Sequence, residues 1–130
     1  MSSSDVAEAI RGAVASAIEV AKDGSFRRRY VFAPDFPGFA GHFPGRPILP
    51  AVVQIMAASL QAEAASGEPL TPTAIERAKF VSTIAPGALV EISCRRAPGA
   101  APDRWEVRID ADRQAAASFV LTLQPRAAGA

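Results

Sequence analysis

The chain has 130 residues, 49% hydrophobic and 21% charged, and its 14 basic and 13 acidic side chains leave a formal charge of +1. Such a chain is the size of one globular domain with a single core, expected to span residues 1–130, and the composition excludes a disordered protein. A dedicated nucleic-acid binder is also disfavoured, because it would need a marked basic excess.

Local charge clusters occur at Arg27, Arg28 and Arg29 and at Arg95 and Arg96, and the plain reading of both is a solvated strand face. Cys94 is the only cysteine, so an intrachain disulfide and a cysteine-based metal site are excluded. The apolar run after Pro50 is broken by Gln54, Ser59, Gln61 and Glu63 and is not a membrane span. Residues 1–12 have neither the positive start nor the apolar stretch of a signal peptide, and a cytoplasmic location is expected.

In chain order, Ser4 or Asp5 is placed to cap a short helix carrying Val6 and Ile10 on one face. Residues 14–21 fit two patterns. Val14, Ser16, Ile18 and Val20 alternate as in a strand, while Val6, Ile10, Val14 and Ile18 fit a helical face. The Lys22-Asp23-Gly24-Ser25 segment favours the strand, since Asp-Gly supplies the positive φ of a hairpin turn. Residues 26–32 are then the returning strand, with Tyr30 and Phe32 on one face. Residues 33–50 hold Pro34, Pro37, Pro44, Pro47 and Pro50 with Gly38, Gly41 and Gly45, which predicts an ordered loop without regular structure.

Pro50 suits the first turn of a helix, predicted to run to Ser66 and stop at Gly67. Its Val52, Val53, Ile55, Met56, Ala57, Ala58 and Leu60 surround most of the circumference, so the helix should be buried on most sides. Strands are predicted at residues 73–83, 88–96, 104–111 and 114–124. In the third, Trp105, Val107 and Ile109 alternate with charged neighbours. Turns are expected at Pro86-Gly87, Pro98-Gly99 and residues 110–112, with a loose tail after Pro125.

The chemistry is concentrated in the loop before the helix. His42 is the only histidine; a lone histidine is more often structural than catalytic, but this one sits in a proline-rich loop feeding a buried helix. An imidazole titrates near pH ~6.5, so a neutral histidine can accept a carbon-bound proton at physiological pH. Leu49 has no side-chain oxygen to cap the helix, which leaves the amides of Ala51 and Val52 for water or for a ligand carbonyl. Amides at the positive end of a helix dipole can stabilise the enolate-like oxygen formed when a thioester loses its α-proton.

His42-Phe43-Pro44-Gly45-Arg46-Pro47, then Pro50 and an apolar helix, resembles the signature of the 3-hydroxyacyl-[acyl-carrier-protein] dehydratases. The strings Phe39-Ala40-Gly41-His42 and Val52-Val53-Gln54-Ile55 resemble the aryl-polyene-associated branch. Ala78-Lys79-Phe80 and Pro86-Gly87 are similar to the strand after the family's helix. The resemblance covers residues 26–95.

It implies an α+β hotdog fold, a long central helix wrapped by an antiparallel sheet, with the core in residues 12–124. It also implies two subunits, as a homodimer or as a heterodimer with another hotdog chain, with tunnels at their interface. His42 would be the base for a 3-hydroxyacyl thioester, and Gly45, Ala51, Val52 and Met56 would line the substrate site. Arg46, Arg77 and Lys79, with Arg95 and Arg96 as further candidates, would form a rim for an acidic acyl carrier protein. No cofactor or metal is implied, and nucleic acid is not an expected partner.

The sequence departs from the family at two places. The acid, a Glu or Asp fourteen positions after the histidine, is replaced by Met56, whose thioether has no proton to give. The glycine after the last motif proline is Ala51. Gln54 lies on a different side of the helix from Met56, and Glu63 is one heptad further on, about 10 Å away. Three readings follow: a dehydratase, a non-catalytic acyl-binding or partner subunit, and a thioester hydrolase, the last weakened by the missing helix carboxylate.

Overall fold

A computed structural model of the chain describes residues 3–39, 45, 47–98 and 104–126. Helix α1, Ser3–Gly12, buries Ile10 and packs Val6 and Ala9 beside it. Because it begins at Ser3, the expected caps Ser4 and Asp5 fall inside its first turn, where the Asp5 carboxylate suits the positive dipole end.

The strand reading of residues 14–21 holds in part. Only Glu19–Val20 (β1) is regular, paired antiparallel with Phe26–Val31 (β2). Further back, Val14 bridges Tyr30 and the Ala15 amide donates to the Arg29 carbonyl at 2.8 Å. Between these rungs the Ser16 hydroxyl accepts the Arg29 amide at 2.9 Å and its carbonyl takes Arg28 Nε at 3.0 Å. A side chain thus replaces a backbone rung, and the ladder is interrupted. The turn between β1 and β2 uses Gly24 at φ +84°, and the Asp23 carboxylate accepts the Ser25 hydroxyl and amide. Those two bonds from Ser25, the hydroxyl's first, hold the Asp23 carboxyl below its usual range.

Tyr30 and Phe32 share the inner face, stacked at 6.0 Å, and the aromatic row continues edge-on through Phe36 (4.9 Å) to Phe39 (5.7 Å). The loop was expected to lack regular structure, yet Pro37–Phe39 forms one 3₁₀ turn. Gly38 is required there, because a Cβ would lie 2.2 Å from the Phe36 ring.

Helix α2 is Ala51–Ser66, ended by Gly67 at φ 74°, whose amide returns to the Glu63 carbonyl. Pro50 is its N-cap rather than its first helical residue. Strands β3 (Leu70–Phe80), β4 (Leu89–Arg96), β5 (Arg104–Ala111) and β6 (Gln114–Pro125) follow. With β1 and β2 they make a six-stranded antiparallel sheet in the order β1-β2-β4-β5-β6-β3. Strand β3 starts three residues earlier than the pattern suggested. Pro72 is tolerated because β3 lies at the sheet's edge, where a missing donor breaks no inner ladder. Its residues 71–80 are all exposed, and bulges lie at Pro72/Ala74 and Glu76/Lys79. The β5–β6 hairpin turns on Asp112 and Arg113, both at positive φ, one position beyond the expected turn. The expected Pro98-Gly99 turn lies partly outside the described residues, as Gly99 is not among them.

One face of the sheet supplies the core. Val90, Ile92 and Cys94, then Trp105, Val107 and Ile109, then Ala117, Phe119, Leu121 and Leu123 are buried at every second position. Against them α2 sets Val53, Ala57, Ala58 and Ala62, small side chains that let the helix axis approach closely. Gln61 is 1% exposed and fully bonded: its Oε1 accepts the Tyr30 hydroxyl at 2.8 Å, and its Nε2 donates to the carbonyls of Phe26 (3.0 Å) and Ile92 (2.9 Å). The helix α2 is buried on most sides, as its apolar circumference predicted: of its sixteen residues only Ala51, Val52 and Ala64 are exposed. Val52 is 62% exposed, and Met56 and Leu60 are half-buried. The sheet covers one face of the helix, α1 packs against it as well, and Met56 and Leu60 lie partly buried against the core.

Candidate functional site

The site is built around the start of α2. Pro50, at φ −65° and ψ 151°, offers no side-chain cap, and its carbonyl takes the amides of Val53 (3.1 Å) and Gln54 (3.2 Å). Among the described residues no hydrogen bond reaches the amides of Ala51 and Val52, as the sequence suggested. The approach to the helix is fixed by the Leu49 amide, which donates to the Ile84 carbonyl at 2.8 Å. Side chains in a helix lean toward its N-terminus, so Gln54 reaches back to donate from Nε2 to the Leu49 carbonyl at 3.1 Å.

Beside this start lies a cleft of about 450 Å³, lined by Ile48, Leu49, Pro50, Ala51, Gln54 and residues 80–83. Its walls are mostly apolar, with Phe80 and Val81 exposed along it. A cleft of this kind, with an apolar wall and a few convergent polar groups, suits an acyl chain with a polar head.

The expected site residues distribute unevenly. Ala51 lies in the cleft wall, Val52 follows it and is exposed, and Gly45 is exposed at φ +83°. Met56 is not in the wall. Two residues after Gln54 on a helix, it points about 200° away, and it is partly buried against the core. His42 and Arg46 lie outside the described residues. Arg77 and Lys79 are exposed on β3, which runs into the cleft wall at Phe80, and Arg77 has φ 52° at the bulge. Arg95 and Arg96 are otherwise engaged. Arg95 pairs with Glu106, which together with the Glu106 charge raises its pKa, and Arg96 lies 4.8 Å from the centre of the Trp105 ring.

A larger depression of about 630 Å³ lies elsewhere, between the β1–β2 turn and β4 and β5. Its Arg95 and Arg108 are committed to Glu106 and Asp110, and no histidine is among its lining residues. Among the described residues no cluster of His, Cys, Asp and Glu could hold a metal. Nor, among them, is any helix long and apolar enough to cross a membrane. Cys94 is no nucleophile: burial pushes its thiol up to about 12.

Gln54 is the residue the sequence reading passed over. It stood there as an interruption of an apolar run, whereas its place four residues after an uncapped helix start was the available signal.

The six-stranded antiparallel sheet with the helix laid on its inner face is that of a hotdog protein. A family model described as ApeI-like, ApeI dehydratase, matches residues 18–120, and the chain belongs to that family. A curated relative, the 3-hydroxyacyl-[acyl-carrier-protein] dehydratase FabZ of Novosphingobium aromaticivorans, is 43% identical over 63 residues. That match takes in 42% of this chain and 40% of the relative's length. Among solved structures, the dehydratase heterocomplex ApeI:P of Xenorhabdus doucetiae aligns with a TM-score of 0.73 at 24% identity, covering 85% of this chain and 95% of that one. A thioesterase-superfamily member from Thermus thermophilus aligns at 0.59 with 14% identity, covering 82% and 85% of the two chains.

Proposed function

We propose that the protein dehydrates 3-hydroxyacyl thioesters carried on an acyl carrier protein, in fatty-acid or polyene synthesis. The observation that carries this reading is the uncapped start of α2 opening on an apolar cleft. There the Ala51 amide, with that of Val52, holds the thioester carbonyl and stabilises the enolate oxygen as the α-proton leaves. His42 takes that proton and hands it to the 3-hydroxyl as the C–O bond breaks, so that the hydroxyl departs as water. The protein acts as a hotdog dimer in which α2 is the central helix, its exposed Val52 and half-buried Met56 closed over by the second subunit. Arg46, Arg77 and Lys79 attract the acidic carrier to the cleft mouth.

A second reading is favoured by Met56 at the position of the family's acid: a non-catalytic subunit that completes the site of an active hotdog partner. The heteromeric state of the ApeI:P complex supports considering it. General-acid assistance is worth on the order of 10²–10⁴ in rate, so its loss is large enough to separate the two.

The deciding experiment incubates the purified protein with 3-hydroxyacyl thioesters of several chain lengths and follows loss of water by mass. Dehydration abolished by His42→Ala, and increased by Met56→Glu in an intact dimer, supports the enzyme. If Met56→Glu folds, dimerises and gains nothing at any length, the partner-subunit reading takes its place.

A further inference from the structure

Gln54 is 5% exposed and lines the cleft, its Nε2 is committed to the Leu49 carbonyl at 3.1 Å, and its Oε1 is buried without a partner. The Nε2 bond fixes which way the carboxamide points. A flipped amide would set Oε1 against the Leu49 carbonyl, oxygen to oxygen, and lose the one bond the group makes. The free atom is therefore an acceptor, and what it lacks is a donor. A buried acceptor left unpaired is costly, and the described residues around the cleft bring it no N–H or O–H.

We infer that Gln54 Oε1 accepts a hydrogen bond from the 3-hydroxyl of the bound acyl chain and makes the cleft selective for 3-hydroxyacyl over plain acyl thioesters. The inference rests on the thioester reading above and adds the group that recognises the hydroxyl. Its geometry follows from the helix. The carboxamide leans back past the first turn to the Leu49 carbonyl, and Gln54 and Ala51 line the same cleft. In a 3-hydroxyacyl thioester the carbonyl and hydroxyl oxygens are carried on carbons separated by a single methylene, so they too lie near each other. One donor and one acceptor at the helix start thus match one acceptor and one donor on the ligand, while the remaining chain meets Ile48, Phe80 and Val81. A neutral carboxamide gives up no proton, so Gln54 positions the hydroxyl and is not a substitute for the absent carboxylic acid.

The test measures binding of 3-hydroxyoctanoyl-pantetheine and octanoyl-pantetheine to the full chain by calorimetry, in the wild type and in Gln54→Leu. The wild type should prefer the hydroxylated chain by about tenfold, the value of one well-made hydrogen bond. Gln54→Leu should bring that ratio to about one. Losing the Leu49 contact weakens both ligands alike and cancels in the ratio. A wild-type ratio of one, or a ratio unchanged in Gln54→Leu, overturns the inference while leaving the thioester reading in place. If neither compound binds the wild type, the thioester reading itself fails. Should Gln54→Leu not fold, Gln54→Met replaces it, and the wild-type ratio decides by itself.

Discussion

Replacing Gln61 by Leu should cost about 3 kcal/mol of stability. The wild-type carboxamide is 1% exposed and makes three bonds, joining α2 to Tyr30 and to the backbone of β2 and β4. Leucine strands the Tyr30 hydroxyl, a buried donor, at about 1–3 kcal/mol, and removes a donor from two carbonyls at about 1 kcal/mol each. Its additional apolar burial returns about 1 kcal/mol. For a chain of this length the balance lowers Tm by about 10 °C. Tyr30→Phe removes only one bond and should cost about 1 kcal/mol. In the double variant the stranded hydroxyl is gone, so the combined loss should fall short of the sum by at least about 1 kcal/mol. Urea unfolding at fixed protein concentration measures all four corners of the cycle. Additive losses, or a Gln61→Leu cost under about 0.5 kcal/mol, would refute the assignment of Gln61 as the polar tie between helix and sheet.

Two other predictions concern pH and charge. Burial raises the Cys94 thiol from 9.0 to about 12 and the Tyr30 hydroxyl above its usual 10.0, so both hold their protons in the folded state after the unfolded chain has lost them. Stability is therefore full below about pH 9 and should fall as pH rises toward 12. In urea titrations Cys94→Ala should flatten the part of that fall beginning near pH 9, and an unchanged profile would remove the thiol as its cause. Reversing Arg77 and Lys79 to glutamate should weaken carrier-protein binding several-fold, more strongly at low salt, as read by surface plasmon resonance; equal affinity at every salt concentration would clear them of that role.

The elements legible in the sequence are those with hard punctuation. Pro50 and Gly67 bracket α2, and strict alternation fixes β5 to the residue. Where two forces compete, the pattern blurs. Pro72 hid the start of β3 because only the edge position makes it harmless, and that position is a property of the whole sheet. Ser16 hid the break before β1 because its hydroxyl takes a backbone partner. At the site, the uncapped helix start was visible as a missing oxygen at Leu49. The role of Gln54 was not, since it depends on which carbonyl the side chain meets and which atom is then left over. Hydrophobic counting also closed α2 on most sides, because an apolar circumference demands cover, and only Ala51, Val52 and Ala64 remain exposed.

The two irregularities of β3 bear on how the protein behaves when crowded. A strand exposed at residues 71–80 is the kind of rim onto which stray extended chains can grow. Here Pro72 has no N–H to give, and Arg77, turned left-handed, rotates its own N–H and carbonyl out of line. Only residues 74–76 remain uninterrupted between them, too short a template for open-ended stacking. The rim can thus recognise a strand shaped to match its two kinks while refusing the many that are straight, which favours discrete assemblies over fibres.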